Sequence, residues 1–222
     1  DDADLANAVT WTLGSAFSNA GQRCAAGSRI IVVDAVYDRF KAMLVEAVGR
    51  LKVGTADTDD FGPVINEDQM TNMLAGVARA KASGASLLTG GQRLTGGSYG
   101  GGFFVAPTLI EDVRQQDEIS RSELFGPITC LYRVSTFEEA IALANDSPFG
   151  LTASIHTQSL NRAMTFLSRI QSGVAVVNGG TYGSEPHMPF GGLRQSGNGW
   201  REAGTQALDV YSDLKTIYIN HN

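Results

Sequence analysis

The chain is poor in the features that define several protein classes. Of its 222 residues only two are cysteine, at positions 24 and 130, with no second thiol near either. That spacing excludes a disulfide framework and a Cys-x-x-Cys metal site, so no metal is expected. There is no run of 18 or more apolar residues and no basic leader followed by an apolar segment, so membrane insertion and secretion are not expected. The expected location is cytoplasmic. Lys and Arg number 17 against 23 Asp and Glu, a formal net charge of -6, and no basic run occurs. A nucleic-acid partner would need clustered cations, and none is expected. Histidine is scarce too, with three copies at 156, 187 and 221, none in a recognisable motif. What is present is an ordinary globular composition, 43% hydrophobic and 18% charged, long enough to bury a proper core.

Glycine is abundant, and its richest stretch, residues 90–102, invites comparison with phosphate loops. No Gly-Lys-Ser/Thr follows and no G-x-G-x-x-G can be drawn through it. A hairpin-like connection is the better reading.

Periodicity gives the elements. Leu5, Ala8, Val9, Leu13, Ala16 and Phe17 follow helical spacing behind the acidic Asp1, Asp2 and Asp4, which suit the positive end of a helix dipole. Residues 28–33 are β-branched enough for a buried strand, and 37–51 and 68–83 read as helices, the second with core-filling Met70 and Met73. Residues 86–89 read as a short strand and 103–108 as an extended segment. Ser135 to Glu138 reads as a capping box opening a helix. A strand over 151–156, a helix over 160–170 and a strand over 174–177 complete an α/β alternation that implies a mostly parallel sheet with helices on both faces. A short helix is expected over 200–208. Leu214 to Asn220 alternates as an exposed strand, whose free edge would invite pairing. Cys130 lies in a strand-like run and reads as a packed core thiol.

Cys24 is different. It sits on a loop with Gln22 and Arg23 before it, Ala25 and Ala26 after it, and glycines at 21 and 27. A nearby cation and a cluster of backbone N–H groups favour a thiolate, and small neighbours let a carbonyl approach. The segment Glu123-Leu124-Phe125-Gly126-Pro127 offers a carboxylate that can accept ribose hydroxyls and a ring that can lie against a nicotinamide. A solvated Glu and a core Phe are the bland alternative. Residues 178–190 form a long irregular loop of the kind that lines pockets.

Three blocks in order carry a family resemblance: Asn19-x-Gly21-Gln22-x-Cys24, then Glu123 to Pro127, then Pro189-Phe190-Gly191-Gly192 with Ser196-Gly197-Asn198-Gly199 and Glu202. Together they resemble the aldehyde dehydrogenase superfamily, in its C-terminal, cysteine-bearing half. The resemblance implies Cys24 as nucleophile, NAD or NADP as cofactor with Glu123, Phe125 and Gln69 toward it, and Phe17, Arg23, Ala25 and Phe190 around a small aldehyde. It implies a domain over 1–206 with an oligomerisation tail over 207–222, and a homo-oligomer, dimer or tetramer, for the intact enzyme. The general base, the side-chain oxyanion donor and the dinucleotide-binding strands are expected outside this chain, which alone should be close to inactive. The rival readings are a CoA-acylating relative, a non-catalytic assembly module, and a Cys–His hydrolase, which a pocket-lining His187 would favour. An arginine beside the thiol suits an acidic semialdehyde or a salt bridge.

Overall fold

A computed structural model describes residues 1–221. Helix α1 (Leu5–Phe17) begins at Asp4, whose carboxylate accepts the Asn7 N–H at 3.1 Å. Asp1 and Asp2 do not join this helix end; they reach across to Arg162, and Asp2 also accepts the Thr157 hydroxyl at 2.7 Å. A 3-10 turn over Ser18–Gly21 follows, then strand β1 (Arg29–Val33), helix α2 (Asp34–Gly49), helix α3 (Glu67–Ala82) and strand β2 (Ser86–Thr89). Strand β3 (Thr108–Glu111), the single turn α4 (Glu118–Arg121), strand β4 (Ile128–Val134) and helix α5 (Phe137–Asn145) come next. Strand β5 (Thr152–Ile155), helix α6 (Leu160–Arg169) and strand β6 (Val174–Val177) complete the set.

The expected parallel strands form, but they are divided between two sheets. The first has the order β1-β4-β3-β2, with β1, β4 and β3 parallel and β2 antiparallel at the edge; the second is the parallel pair β5-β6. Residues on β4 alternate between faces, and both faces are covered. Arg133 bonds Asp34 and Asp38 of α2 on one side. Its neighbour Tyr132 points the other way, to Ser120 at 2.6 Å and to the Arg29 guanidinium, which also bonds the Leu143 carbonyl of α5. Helices α2 and α5 therefore sandwich the sheet. Leu44, Met73, Leu109 and Ile110 are wholly buried in the core between, so the two methionines of α3 are filler as their spacing suggested. Cys130 is buried as well, and desolvation pushes its thiol up to about 12.

The glycine-rich stretch is a hairpin, with Leu94 and Ala106 donating to Phe104 and Gln92 across it at 2.9 and 3.0 Å. Three expectations fail. The capping box is shifted by one residue: Thr136 is the cap, accepting the Glu139 N–H, while the Glu139 carboxylate accepts the Ser135 N–H. Residues 200–208 do not make a regular helix; a 3-10 turn occupies Thr205–Val210. Residues 214–220 form no strand, because a strand needs a neighbour for its N–H and C=O groups and none lies alongside them in this chain. Leu214 is 99% exposed and Tyr211 and Tyr218 nearly so. The expected tail extends to position 222, which lies outside the described residues.

The shifted cap has a measurable consequence. Thr136→Ala is expected to cost about 1 kcal/mol in urea unfolding, and Ser135→Ala only a few tenths; the reverse order would return the cap to Ser135.

Candidate functional site

The thiol loop is held by backbone geometry that few residue types tolerate. After α1, Asn19, Ala20 and Gly21 all take left-handed φ values of 54°, 54° and 65°. For the two non-glycine residues this costs roughly 1–3 kcal/mol each unless the surroundings enforce it. They do. The Asn19 side chain donates to the Gln22 carbonyl at 3.0 Å, and the Gln22 side chain accepts the Ile65 N–H at 2.8 Å, tying the loop to the segment ahead of α3. On the other side Gly27 donates to the Ser15 carbonyl at 2.9 Å, and the Thr181 hydroxyl donates to the Ala25 carbonyl at 2.7 Å. The Thr181 N–H in turn donates to the Ser15 hydroxyl at 3.1 Å. Cys24 projects from this clamp and is exposed.

Beside it lies the Phe125 turn. Phe125 also has a left-handed φ, 55°, and its ring is exposed. A methyl group built on Gly21 would collide with the Gly126 carbonyl, and one on Gly126 would collide with Met73. Two glycines thus let the thiol loop and the Phe125 turn touch backbone to backbone. Glu123 stands on the same turn, and partial burial holds its carboxyl above the usual carboxylate range.

Cys24, Arg23, Glu123 and Phe125 all line one large cavity of about 840 Å³. It continues from the thiol between β1 and β5. His156, at the end of β5, also lines it, and desolvation keeps that imidazole below its ordinary value. His187 is exposed and not on the cavity wall, so the Cys–His hydrolase reading gains no support from it. Among the described residues no group of three His, Cys, Asp or Glu could hold a metal ion, and no helix is long and apolar enough to cross a membrane.

Four residues expected at the site are not on the cavity wall. Phe17 is 1% exposed and packs in the core, because α1 turns that face inward. Ala25 has a buried side chain and serves the loop through its carbonyl. Phe190 is half-buried and pairs backbone to backbone with Glu202 at 2.7 and 2.9 Å. Gln69 lies in the first turn of α3, its N–H capped by Asn66, away from the cavity.

Two residues beside the site, Tyr182 and Trp11, were given no role from the sequence. Tyr182 lies over Gly14, where a side chain would strike its ring, and packs 6.1 Å from Trp11. The Arg23 guanidinium sits 5.5 Å from the Tyr182 centroid, and among the described residues no carboxylate pairs with it. Gln22 belongs to the thiol motif, but its tether to Ile65 was not foreseen. A glycine inside a helix, as at Gly14, was the available signal for a close approach.

The raised carboxyl of Glu123 gives a pH-dependent expectation. A group whose folded value lies above its unfolded one adds no cost below the unfolded value, about 4.3, and its full cost above the folded one. Glu123→Gln should therefore match the parent near the lower limit and exceed it at neutral pH by a few tenths of a kcal/mol, solvent screening keeping the effect small. Urea unfolding across that range measures it; a variant less stable at neutral pH would contradict the assignment.

Comparison with known proteins agrees with this architecture. The aldehyde dehydrogenase family profile matches residues 1–217. The alpha-ketoglutaric semialdehyde dehydrogenase of Bacillus subtilis is 38% identical over 99% of the chain, and the alpha-ketoglutarate semialdehyde dehydrogenase of Haloferax volcanii 40% identical over all of it. The chain spans only 45% and 46% of those relatives' lengths. A crystal structure of Staphylococcus aureus betaine aldehyde dehydrogenase in complex with NAD+ superposes with a TM-score of 0.92 at 33% identity, over 95% of this chain and 42% of that one. The structure of 3,6-anhydro-L-galactose dehydrogenase in complex with NAP gives 0.95 at 36%, over 99% and 46%. A match this long, at identities well above those where only the fold can be inferred, means that the chain belongs to the aldehyde dehydrogenase family.

Proposed function

We propose that the chain is the thiol-bearing part of an NAD(P)-dependent aldehyde dehydrogenase, with Cys24 as nucleophile and an aldehyde carrying an anionic group as substrate. The observation that carries the proposal is an exposed thiol on a clamped loop, at the wall of a cavity shared with Arg23, Glu123 and Phe125. The similarity to two semialdehyde dehydrogenases, and the NAD+ and NAP bound in the similar structures, support it.

The Cys24 sulfur adds to the aldehyde carbon, the carbonyl electron pair moves to oxygen, and we assign stabilisation of that charge to the loop's own N–H at Cys24. NAD or NADP, when bound, supplies the acceptor for the electron pair lost as this adduct becomes a thioester. The residues fit such a group: Glu123 would take the ribose hydroxyls and Phe125 the nicotinamide surroundings, both open to the cavity on a turn kept thin by Gly126. Water then releases the acid. We assign the base that activates that water to the part of the relatives' length that this chain does not span. Loss of a general base lowers rates by roughly a hundredfold to ten-thousandfold, so the chain alone is expected to be nearly inactive. Arg23, free of any carboxylate among the described residues and stacked on Tyr182, is assigned to the substrate's anionic end. The exposed apolar residues of 207–221 favour an assembly role for that tail in a homo-oligomer.

Reduced-cofactor fluorescence tests this with alpha-ketoglutaric semialdehyde and betaine aldehyde. The 222-residue chain is compared with one completed to the relatives' length by the unmatched part of the Bacillus subtilis relative. Turnover is expected only from the completed protein and should fall to background in Cys24→Ala. Arg23→Ala should raise KM about tenfold or more for the acidic aldehyde, in keeping with loss of a charge-assisted bond, and little for the betaine. Activity of the short chain, or of the Cys24→Ala protein, would overturn the proposal.

A further inference from the structure

Nothing aims the Glu123 carboxylate directly. Among the described residues it makes no hydrogen bond or ion pair, and burial alone accounts for its raised value. Its place is set by the backbone on either side, and both sides are anchored.

On the side before it lies α4, a single turn of four residues. One turn closes too few hydrogen bonds to offset its own ordering, so it must be held from outside. Two of its ties are ion pairs, Arg79 of α3 to Glu118 at 2.7 Å and Arg121 to Asp146 at 3.0 Å. All four side chains are about half exposed, and such pairs hold weakly. The third tie is buried. Ser120 is 6% exposed and Tyr132 of β4 is 5% exposed, and their hydroxyl oxygens lie 2.6 Å apart. Counting hydrogens gives the direction of that bond: the Ser120 hydroxyl donates its one hydrogen to the Arg114 carbonyl at 2.8 Å, so Tyr132 donates to Ser120. Burial pushes the Tyr132 hydroxyl up to about 12, which keeps it a donor throughout the neutral range. The relay from Tyr132 through Ser120 to Arg114 thus pins α4, and the loop that enters it, to a core strand.

On the side after, Leu124 packs over Gly76 of α3, where a methyl group would come within 2.9 Å of the leucine side chain. Glu123 therefore sits on a short span of chain between an anchor on β4 and an anchor on α3. Ser120 and Glu123 both line the cavity.

We infer that Tyr132, acting through Ser120, is a positioning residue for cofactor binding, holding Glu123 where its carboxylate meets the ribose hydroxyls. This rests on the reading of Glu123 as a cofactor contact given above. No hydrogen bond of the relay reaches the thiol loop, so the thiol should be indifferent to it.

The test uses the protein completed to the relatives' length. Isothermal titration calorimetry without aldehyde gives the affinities for NAD+ and NADP+, and the tighter-bound of the two is followed in Tyr132→Phe, Glu123→Ala and the double variant. Amide exchange over 119–124 is read by mass spectrometry in the cofactor-free protein. Tyr132→Phe is expected to weaken cofactor binding about threefold to tenfold, the equilibrium worth of one ordinary hydrogen bond. It should also speed exchange over 119–124, while iodoacetamide labels Cys24 at the parental rate. In the Glu123→Ala background the same change should leave cofactor affinity where it is, because it acts only through that carboxylate. A merely structural role would weaken binding alike in both backgrounds, and that additive result would overturn the inference. Unchanged affinity or unchanged exchange in Tyr132→Phe, with Glu123→Ala binding poorly, would overturn it too. If Glu123→Ala binds the cofactor as the parent does, the reading of Glu123 itself fails, and the inference with it. Should Tyr132→Phe fail to fold, Ser120→Ala breaks the same relay and is judged by the same cycle.

Discussion

The structure around the thiol depends on a single close approach, that of the Gly21 backbone to the Gly126 carbonyl. No side chain fits between them, and beneath Gly126 lies the wholly buried Met73. The contact fixes the thiol loop against the Glu123–Phe125 turn, and the loop's left-handed residues, its Ser15 and Thr181 bonds and the Gln22 tether to Ile65 all serve to hold it there. The strain of Asn19 and Ala20 is sustained because α1 at Ser15, the segment at Ile65, the turn at Gly126 and the loop at Thr181 all converge on the thiol loop. A nucleophile gains from such fixing, since the reacting atoms need not be ordered at the moment of reaction.

The same rigidity stops at β1. On its β4 side the sheet is continuous and buried on both faces; on its other side the ladder is open. The thiol loop and the edges of β1 and β5 line one cavity. The chain keeps its relatives' local geometry, at TM-scores above 0.9, while spanning under half of their lengths.

Much of this was legible in the sequence because the signals are local. Most helices and strands bounded by turn residues fell within a residue or two of their observed limits, though α2 begins three residues earlier than expected and β3 begins only where the extended segment over 103–108 ends; a lone cysteine among small and polar neighbours marked the exposed loop. What was not legible depends on partners distant in the chain. Phe17 and Ala25 lie near the thiol in sequence but point into the core, a consequence of the helix phase and the loop clamp. Phe190 is drawn to Glu202 by backbone pairing, and residues 214–220 have the alternation of a strand but no neighbour. Thr136 rather than Ser135 caps its helix because Glu139, not Glu138, faces back over the first turn. The Tyr182–Arg23 stack joins positions 159 residues apart, and only the interior glycine at 14 hinted at it.

The most direct test of the account is covalent. The protein completed to the relatives' length is mixed with an acidic semialdehyde and NAD+, quenched in acid within a turnover, digested and mapped by mass spectrometry. An acyl adduct is expected on the peptide bearing Cys24, with Cys130 unmodified in its buried strand. Turnover with no adduct at Cys24, or with the acyl group on Cys130, would contradict it.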